Sequence, residues 1–194
     1  PGQDPRDGVG MARSFDVVRA AMSWNVTMGS MGLLSSHDTA RWRSMCVSDD
    51  AAMVGFGMLL ALPGAPCFFY GDEIGLTGDD NEQSRAPMPW NQQWDTRFLT
   101  TYSDLIHARN HSGALRRGGF RWVHVDHDQV VWLRETRSER VLIRAARASG
   151  APVVIDSELL GADGLEPIYG GLSIRGTQLT LPGEGPRIDM WQLS

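Results

Sequence analysis

The strongest constraint in this sequence is a repeated layout in which an apolar run passes straight into polar groups. Met31-Gly32-Leu33-Leu34 leads into Ser35-Ser36-His37-Asp38-Thr39, and Cys67-Phe68-Phe69-Tyr70 leads into Gly71-Asp72-Glu73. Between them, Ser48-Asp49-Asp50 caps a predicted helix over Ala51 to Leu62, with acid at its positive end. Pro63-Gly64-Ala65-Pro66 then breaks that helix. Buried strand, helix, buried strand is a βαβ unit. A parallel pair of this kind delivers functional groups at the carboxyl ends of its strands.

The flanking segments extend the reading. Pro1 to Gly10 reads as a loop, and Ser14 as the cap of a helix running to about Trp24 with Phe15, Val18, Ala21 and Met22 on one face. A polar loop over Gly78 to Trp94 precedes a helix from Thr96 to His111 that buries Phe98, Tyr102, Leu105 and Ile106. After Leu115 the period changes to two. Arg121 to Val125 and Val130 to Arg134 flank the turn Asp126-His127-Asp128-Gln129 as a hairpin. Further strands are expected over Val141 to Ala146, Pro152 to Ile155, Leu172 to Arg175, Gln178 to Leu181 and Arg187 to Leu193, which together suggest an antiparallel β-sandwich. The fold class is therefore α/β plus all-β.

Composition removes several functions. The 194 residues fall short of a complete, elaborated (β/α)8 barrel, which needs about 250. The net charge of −5 and the lack of a basic patch argue against nucleic acid as partner, and arginine as the only basic residue type reads as codon bias of a GC-rich genome. The longest apolar stretch, Ala51 to Leu62, is too short for the ~20 residues that cross a bilayer, so no membrane partner is expected. Two distant cysteines, Cys46 and Cys67, are expected as buried free thiols. His124, Asp126, His127 and Asp128 look like a metal box, but the alternation places them at a solvated hairpin turn. Asp79-Asp80-Asn81-Glu82 lacks the ligand spacing of a calcium loop, so no metal and no cofactor is expected. A start at Pro1 without an initiator methionine suggests a processed chain or a piece of a longer one. The sequence assigns no location, and the cytoplasm is the default expectation.

Three local strings, in order, carry a family resemblance. Leu33-Leu34-Ser35-Ser36-His37-Asp38-Thr39-Ala40-Arg41 resembles the end of the seventh barrel strand of the α-amylase superfamily of glycoside hydrolases (glycoside hydrolase family 13). Pro63 to Glu73 resembles the eighth strand and its exit, and Ser84-Arg85-Ala86-Pro87-Met88-Pro89-Trp90-Asn91 the loop beyond it. The resemblance, to neopullulanase, cyclomaltodextrinase or α-glucosidase types, implies the last quarter of a (β/α)8 barrel over residues 1–114. A C-terminal β-sandwich would then occupy 115–194.

Retaining hydrolysis of an α-glucoside needs a carboxylate nucleophile and a carboxylic acid roughly 5–5.5 Å apart. The resemblance places that pair on the fourth and fifth strands, upstream of this chain. It assigns Asp38 the role of third acid, stabilising the transition state, and His37 that of gripping the same sugar. Arg85 would bind glucose hydroxyls through its fork of donors. Four residues before Arg85, where relatives often have an acid, stands Asn81. Ala40, where many have proline, affects only loop stiffness. Arg41 reads as a structural ion-pair partner and Asp72 and Glu73 as structural acids, with an Asp38–Glu73 catalytic pair as the minor alternative. Trp42 and Trp90 could stack on sugar or lie buried under the loops.

The implied partner is an α-glucan or malto-oligosaccharide. Open sheet edges further imply association with a chain supplying the rest of the barrel, or a homo-oligomer. The competing reading is a non-catalytic carbohydrate-binding or interaction module built on Trp122 and Trp132. Exposed indoles on one sheet face would support it, although the alternation fits burial better.

Overall fold

A computed structural model of the chain describes residues 7–194. Most of the loop expected over Pro1 to Gly10 thus lies outside the described residues, and its last part is already helical. Helix α1 spans Gly8–Ala20, and Asp7 caps it by accepting from the Gly10 amide at 2.6 Å. Ser14, the expected cap, sits inside the helix and donates back to the Gly10 carbonyl at 2.8 Å. Glycine weakens a helix intrinsically, but a Cβ on Gly8 would lie 2.3 Å from the Asp126 carbonyl, so this glycine allows the helix start to press on the hairpin turn. The helix stops at Ala20, short of Trp24. Ser23 caps a separate short helix, α2, Trp24–Gly29.

Strands β1, Met31–Gly32, and β2, Ala65–Pro66, pair in parallel with Met31 opposite Ala65. The short helix α3, Trp42–Met45, and helix α4, Asp49–Ala61, connect them. The βαβ order is therefore present, but regular pairing covers two residues per strand, extended by one bond from the Cys67 amide to the Gly32 carbonyl at 2.8 Å. The expected burial of both runs is not found. Met31 is 64% exposed, and Leu33, Phe68 and Tyr70 are exposed too. Cys67 is likewise exposed rather than buried, and Cys46 is half-buried. The physical reason is that the pair stands as a separate two-stranded sheet, with no further strand beside either member among the described residues.

A 3-10 turn, Asp72–Ile74, follows between Gly71 and Gly75, both left-handed (φ +88° and +75°) as a side-chain-free residue allows. Inside the expected loop a short helix, α5, occupies Asn81–Ser84. Helix α6, Thr96–His111, matches its predicted bounds, and α7, Gly113–Arg117, adds a turn before the sheet.

The C-terminal part holds β3 Gly119–Val125, β4 Gln129–Glu135, β5 Arg140–Ala146, β6 Val153–Asp156, α8 Ser157–Leu160, β7 Gly164–Tyr169, β8 Ile174–Arg175, β9 Gln178–Leu181 and β10 Arg187–Leu193. Six of the strands form one antiparallel sheet in the order β3-β4-β5-β10-β7-β8, while β6 and β9 pair separately. The expected sandwich is thus unequal: β6 and β9 are one thin layer, and helices cover the other face of the large sheet. Strand β4 shows the consequence of period two. Val130 and Trp132 pack toward α4, α6 and α7, whereas Val131 and Leu133 pack toward β6, β9 and α8. The helix-side core runs from Ala52 through Ala114 and Leu115 to Met190, so packing is continuous across the expected boundary at residue 114.

Both sheet tryptophans are committed to this core. Trp132 is fully buried and donates to the Ala61 carbonyl at 3.4 Å, and half-buried Trp122 donates to Asp16 of α1 at 3.2 Å. An exposed indole platform on this sheet, the condition for the binding-module reading, is absent among the described residues.

Two buried arginines hold the end of α4, Arg109 from α6 and Arg134 from β4 of the sheet. Arg109 donates to the carbonyls of Leu60, Gly64 and Leu115 at 2.5, 2.8 and 3.0 Å. Arg134 donates to those of Ala61, Gly118 and Gly119 at 2.7, 3.0 and 3.1 Å. Burial lowers the pKa of both, that of Arg134 to about 9. Their carbonyl partners at the end of α4 form the negative pole of that helix, which compensates part of the desolvation.

Candidate functional site

His37, Asp38 and Arg85 come together at the carboxyl end of the β1–β2 pair, although Arg85 is 47 residues from Asp38. Arg85 Nη2 lies 3.1 Å from Asp38 Oδ1, and His37 Nε2 lies 3.2 Å from Asp38 Oδ2. Arg85 Nε also donates to the His37 carbonyl at 2.9 Å. One guanidinium therefore holds the loop by both its backbone and its carboxylate. All three side chains face solvent, at 66% exposure for His37, 68% for Asp38 and 50% for Arg85. Each carboxylate oxygen still has acceptor capacity, and Arg85 keeps Nη1 free of any partner among the described residues.

A buried polar layer beneath fixes this arrangement. Arg41, wholly buried, donates to the Tyr70 carbonyl at 2.7 Å, to Asp72 Oδ1 at 3.0 Å and to the Ser84 carbonyl at 2.9 Å. Its guanidinium also lies over the rings of Phe69 and Tyr70, 4.7 and 5.2 Å from their centroids. Ser84 returns a hydroxyl to the Thr39 carbonyl at 2.8 Å, and the Trp42 amide donates to Ser35 Oγ at the same distance. Three loops, 35–41, 70–74 and 78–85, are thereby tied to one cation. Burial pushes the Asp72 carboxyl above its ordinary value, opposed by bonds from Ser35 and Arg41 and by the Arg41 charge.

The reading of Arg41 and Asp72 as structural partners holds in this geometry. Glu73 turns its carboxylate back onto the Gly71 amide at 2.7 Å, a local cap. Trp42 is half-buried and donates to the Ala52 carbonyl at 2.9 Å, so its ring belongs to the packing against α4. Trp90 is 72% exposed, with Trp94 tilted at 5.8 Å from it. Sequence reasoning missed Ser35 and Ser84. Small polar residues beside a motif carry no signal of burial, and only the flanking Asp38 and Arg85 point to them.

The hairpin acids behave as a turn. Asp126 accepts from the amides of Asp128 and Gln129 at 2.9 and 2.8 Å and lies 2.9 Å from His124. Among the described residues no group of three or more His, Cys, Asp or Glu is arranged to hold a metal. No described helix is long and apolar enough to cross a membrane.

No protein-family model matches the chain. Among curated proteins it is 32% identical over 139 residues to a cyclomaltodextrinase of Geobacillus thermopakistaniensis (strain MAS1), covering 68% of this chain and 24% of that enzyme. It is 34% identical over 121 residues to neopullulanase 2 of Thermoactinomyces vulgaris, covering 59% and 21%. Among solved structures, the debranching enzyme of Nostoc punctiforme superposes with a TM-score of 0.82 at 26% identity, over 97% of this chain and 39% of the other. An Anoxybacillus α-amylase superposes with a TM-score of 0.86 at 19% identity, over 97% and 43%, a likeness of fold alone. The chain thus spans about a quarter of the curated relatives' length.

Proposed function

The chain is a relative of the C-terminal portion of α-amylase-family glycoside hydrolases, and from that premise we propose that it supplies one wall of the sugar site of a retaining α-glucan hydrolase. In this reading residues 1–114 are the last quarter of a (β/α)8 barrel and 115–194 the companion β domain. The bonds cleaved are α-1,4 or α-1,6 glucosidic bonds of maltodextrin, pullulan or cyclodextrin type.

The observation that carries the proposal is the joining of His37, Asp38 and Arg85 by contacts of 2.9–3.2 Å at the exposed ends of two parallel strands. A carboxylate fixed from two sides keeps lone pairs for sugar hydroxyls, and its charge stabilises developing oxocarbenium character. His37 and the unused donors of Arg85 supply further hydroxyl contacts. The nucleophile and general acid belong to upstream strands of the parent protein, so the 194 residues alone are catalytically silent. The exposed Met31, Leu33 and Phe68 are where the rest of the barrel, or a second chain, would pack.

The test is an aryl α-glucoside assay on the 194-residue chain and on the full-length parent. The parent should be active and lose activity on Asp38→Asn by at least ~10², with the short chain inactive. Hydrolysis by the short chain that Asp38→Asn abolishes would overturn the placement of the catalytic pair upstream. An active parent indifferent to Asp38→Asn would overturn the role of Asp38.

A further inference from the structure

Of the five histidines in the sequence, three are matched to carboxylates: His37 with Asp38, His124 with Asp126 and His127 with Asp128. His107 and His111 form no ion pair among the described residues and instead face each other on the solvent side of α6. Their rings stack with centroids 3.9 Å apart and planes 27° from parallel. The spacing is i, i+4, which puts two side chains on one stripe of a helix.

The hydrogen bonding defines which nitrogens are available. His111 Nδ1 lies 2.9 Å from the His107 carbonyl, an acceptor only, so the proton sits on Nδ1 and the Nε2 lone pair faces outward. A backbone carbonyl bound to the far nitrogen is also what orients a metal-ligating imidazole and raises its basicity. Both side chains are exposed, so binding there displaces only water.

We infer that His107 and His111 form a bidentate site for a borderline divalent transition metal, Cu2+, Ni2+ or Zn2+, on the outer face of α6. Two nitrogens at ~2.0–2.1 Å from one tetrahedral ion are roughly 3.3 Å apart. The stacked rings already lie side by side, with centroids 3.9 Å apart, and rotation about their exposed side-chain torsions would turn one nitrogen of each onto a shared ion. Two histidines one turn apart on a helix face are a recurrent zinc-binding pair for the same reason. The local field is favourable, because the pair occupies the last turns of a 16-residue helix, where the carbonyl pole is negative. Exposed Asp104, one turn before His107 on the same stripe, adds negative charge to this face of the helix. Arg109, between the two histidines, points inward to the carbonyls of Leu60, Gly64 and Leu115 and leaves the outer face clear. No third protein ligand joins the pair among the described residues, so water completes the coordination and affinity follows the order Cu2+, then Ni2+ and Zn2+.

The experiment titrates the purified 194-residue chain with nickel, zinc or copper salt in a non-coordinating buffer. Calorimetry is followed alongside the imidazole signals in NMR. One ion per chain should bind, with the His107 and His111 signals moving together and the melting temperature rising with metal. Either His111→Gln or His107→Gln alone should weaken binding by ~10²-fold, the loss of the second arm of a chelate. His127→Gln should leave the affinity unchanged. Since both sites are exposed and glutamine is a good helix former, the metal-free melting temperature of each variant should match that of the parent chain. Equal affinity in the His111→Gln and unsubstituted chains would overturn the assignment. So would perturbation of His37, His124 or His127 in place of the α6 pair, or no binding at millimolar metal.

Discussion

The six-stranded sheet and the β1–β2 pair are both made of short apolar runs, yet they are held in opposite ways. In the sheet, β4 and β5 are buried on both faces, and Trp132, Leu133, Leu142 and Ile143 are wholly inaccessible. In the parallel pair two residues per strand are bonded, and the side chains beside them meet solvent. The sheet is stabilised by apolar burial. The loops that carry His37, Asp38 and Arg85 are stabilised by hydrogen bonds to one buried guanidinium. Apolar burial therefore fixes the sheet, and buried polar bonds fix the loops that carry the candidate chemistry.

The comparison breaks most readily at Trp132. Trp132→Ala removes a fully buried indole between α4 and the sheet and should cost ~3–5 kcal/mol, read from urea unfolding. Arg41→Met tests the other region. It leaves Asp72 buried without its cation, for a loss of about 3 kcal/mol. Faster amide hydrogen exchange should be confined to residues 35–41, 70–74 and 78–85. Exchange that quickens equally throughout β4 and β5 would show that the two regions are one cooperative unit.

Asp126 gives a smaller effect with a pH signature. Burial acts to raise its carboxyl, but bonds from His124 and from the amides of Gln129 and Asp128 hold it below the ordinary value. The folded value lies below the unfolded one, so the contribution is complete above ~4 and is lost as pH falls through the folded value. Asp126→Asn should therefore lower stability by about 1 kcal/mol at neutral pH. The gap to the unsubstituted chain should close on acidification, as chemical denaturation at stepped pH would measure. Least affected is Asp38→Asn, which should change stability by no more than ~0.5 kcal/mol, because both its partners are exposed. A large loss there would make Asp38 a fold residue.

Much of the C-terminal part was legible because period-two alternation and short continuous apolar runs both leave a plain signal. The bounds of β9, β10 and α6 follow from their apolar periods, and β3 to β6 are found within two residues of expectation. Strand β7 was not legible. Gly164-Leu165-Glu166-Pro167-Ile168-Tyr169 carries a glycine and a proline, and its pairing with β10 shifts register at Met190/Trp191. The early start of α1 was hidden for a related reason: Gly8 and Gly10 disfavour a helix that the Asp7 cap and the contact with the Asp126 turn sustain. At the candidate site, the adjacency of His37 and Asp38 could be read directly, and their meeting with Arg85 was anticipated only through the family resemblance.

By itself the sequence determined where the chain alternates, where it caps and turns, and which polar groups end the two apolar runs. Those properties are local and rest on side-chain period and backbone geometry. Only the tertiary structure decided that the first two runs stay exposed, that Cys67 is open, and that helices cover one face of the sheet. It also decided that Arg41 gathers three loops under the site. Burial and long-range hydrogen bonds depend on which distant segments arrive at the same place, and no local pattern records that.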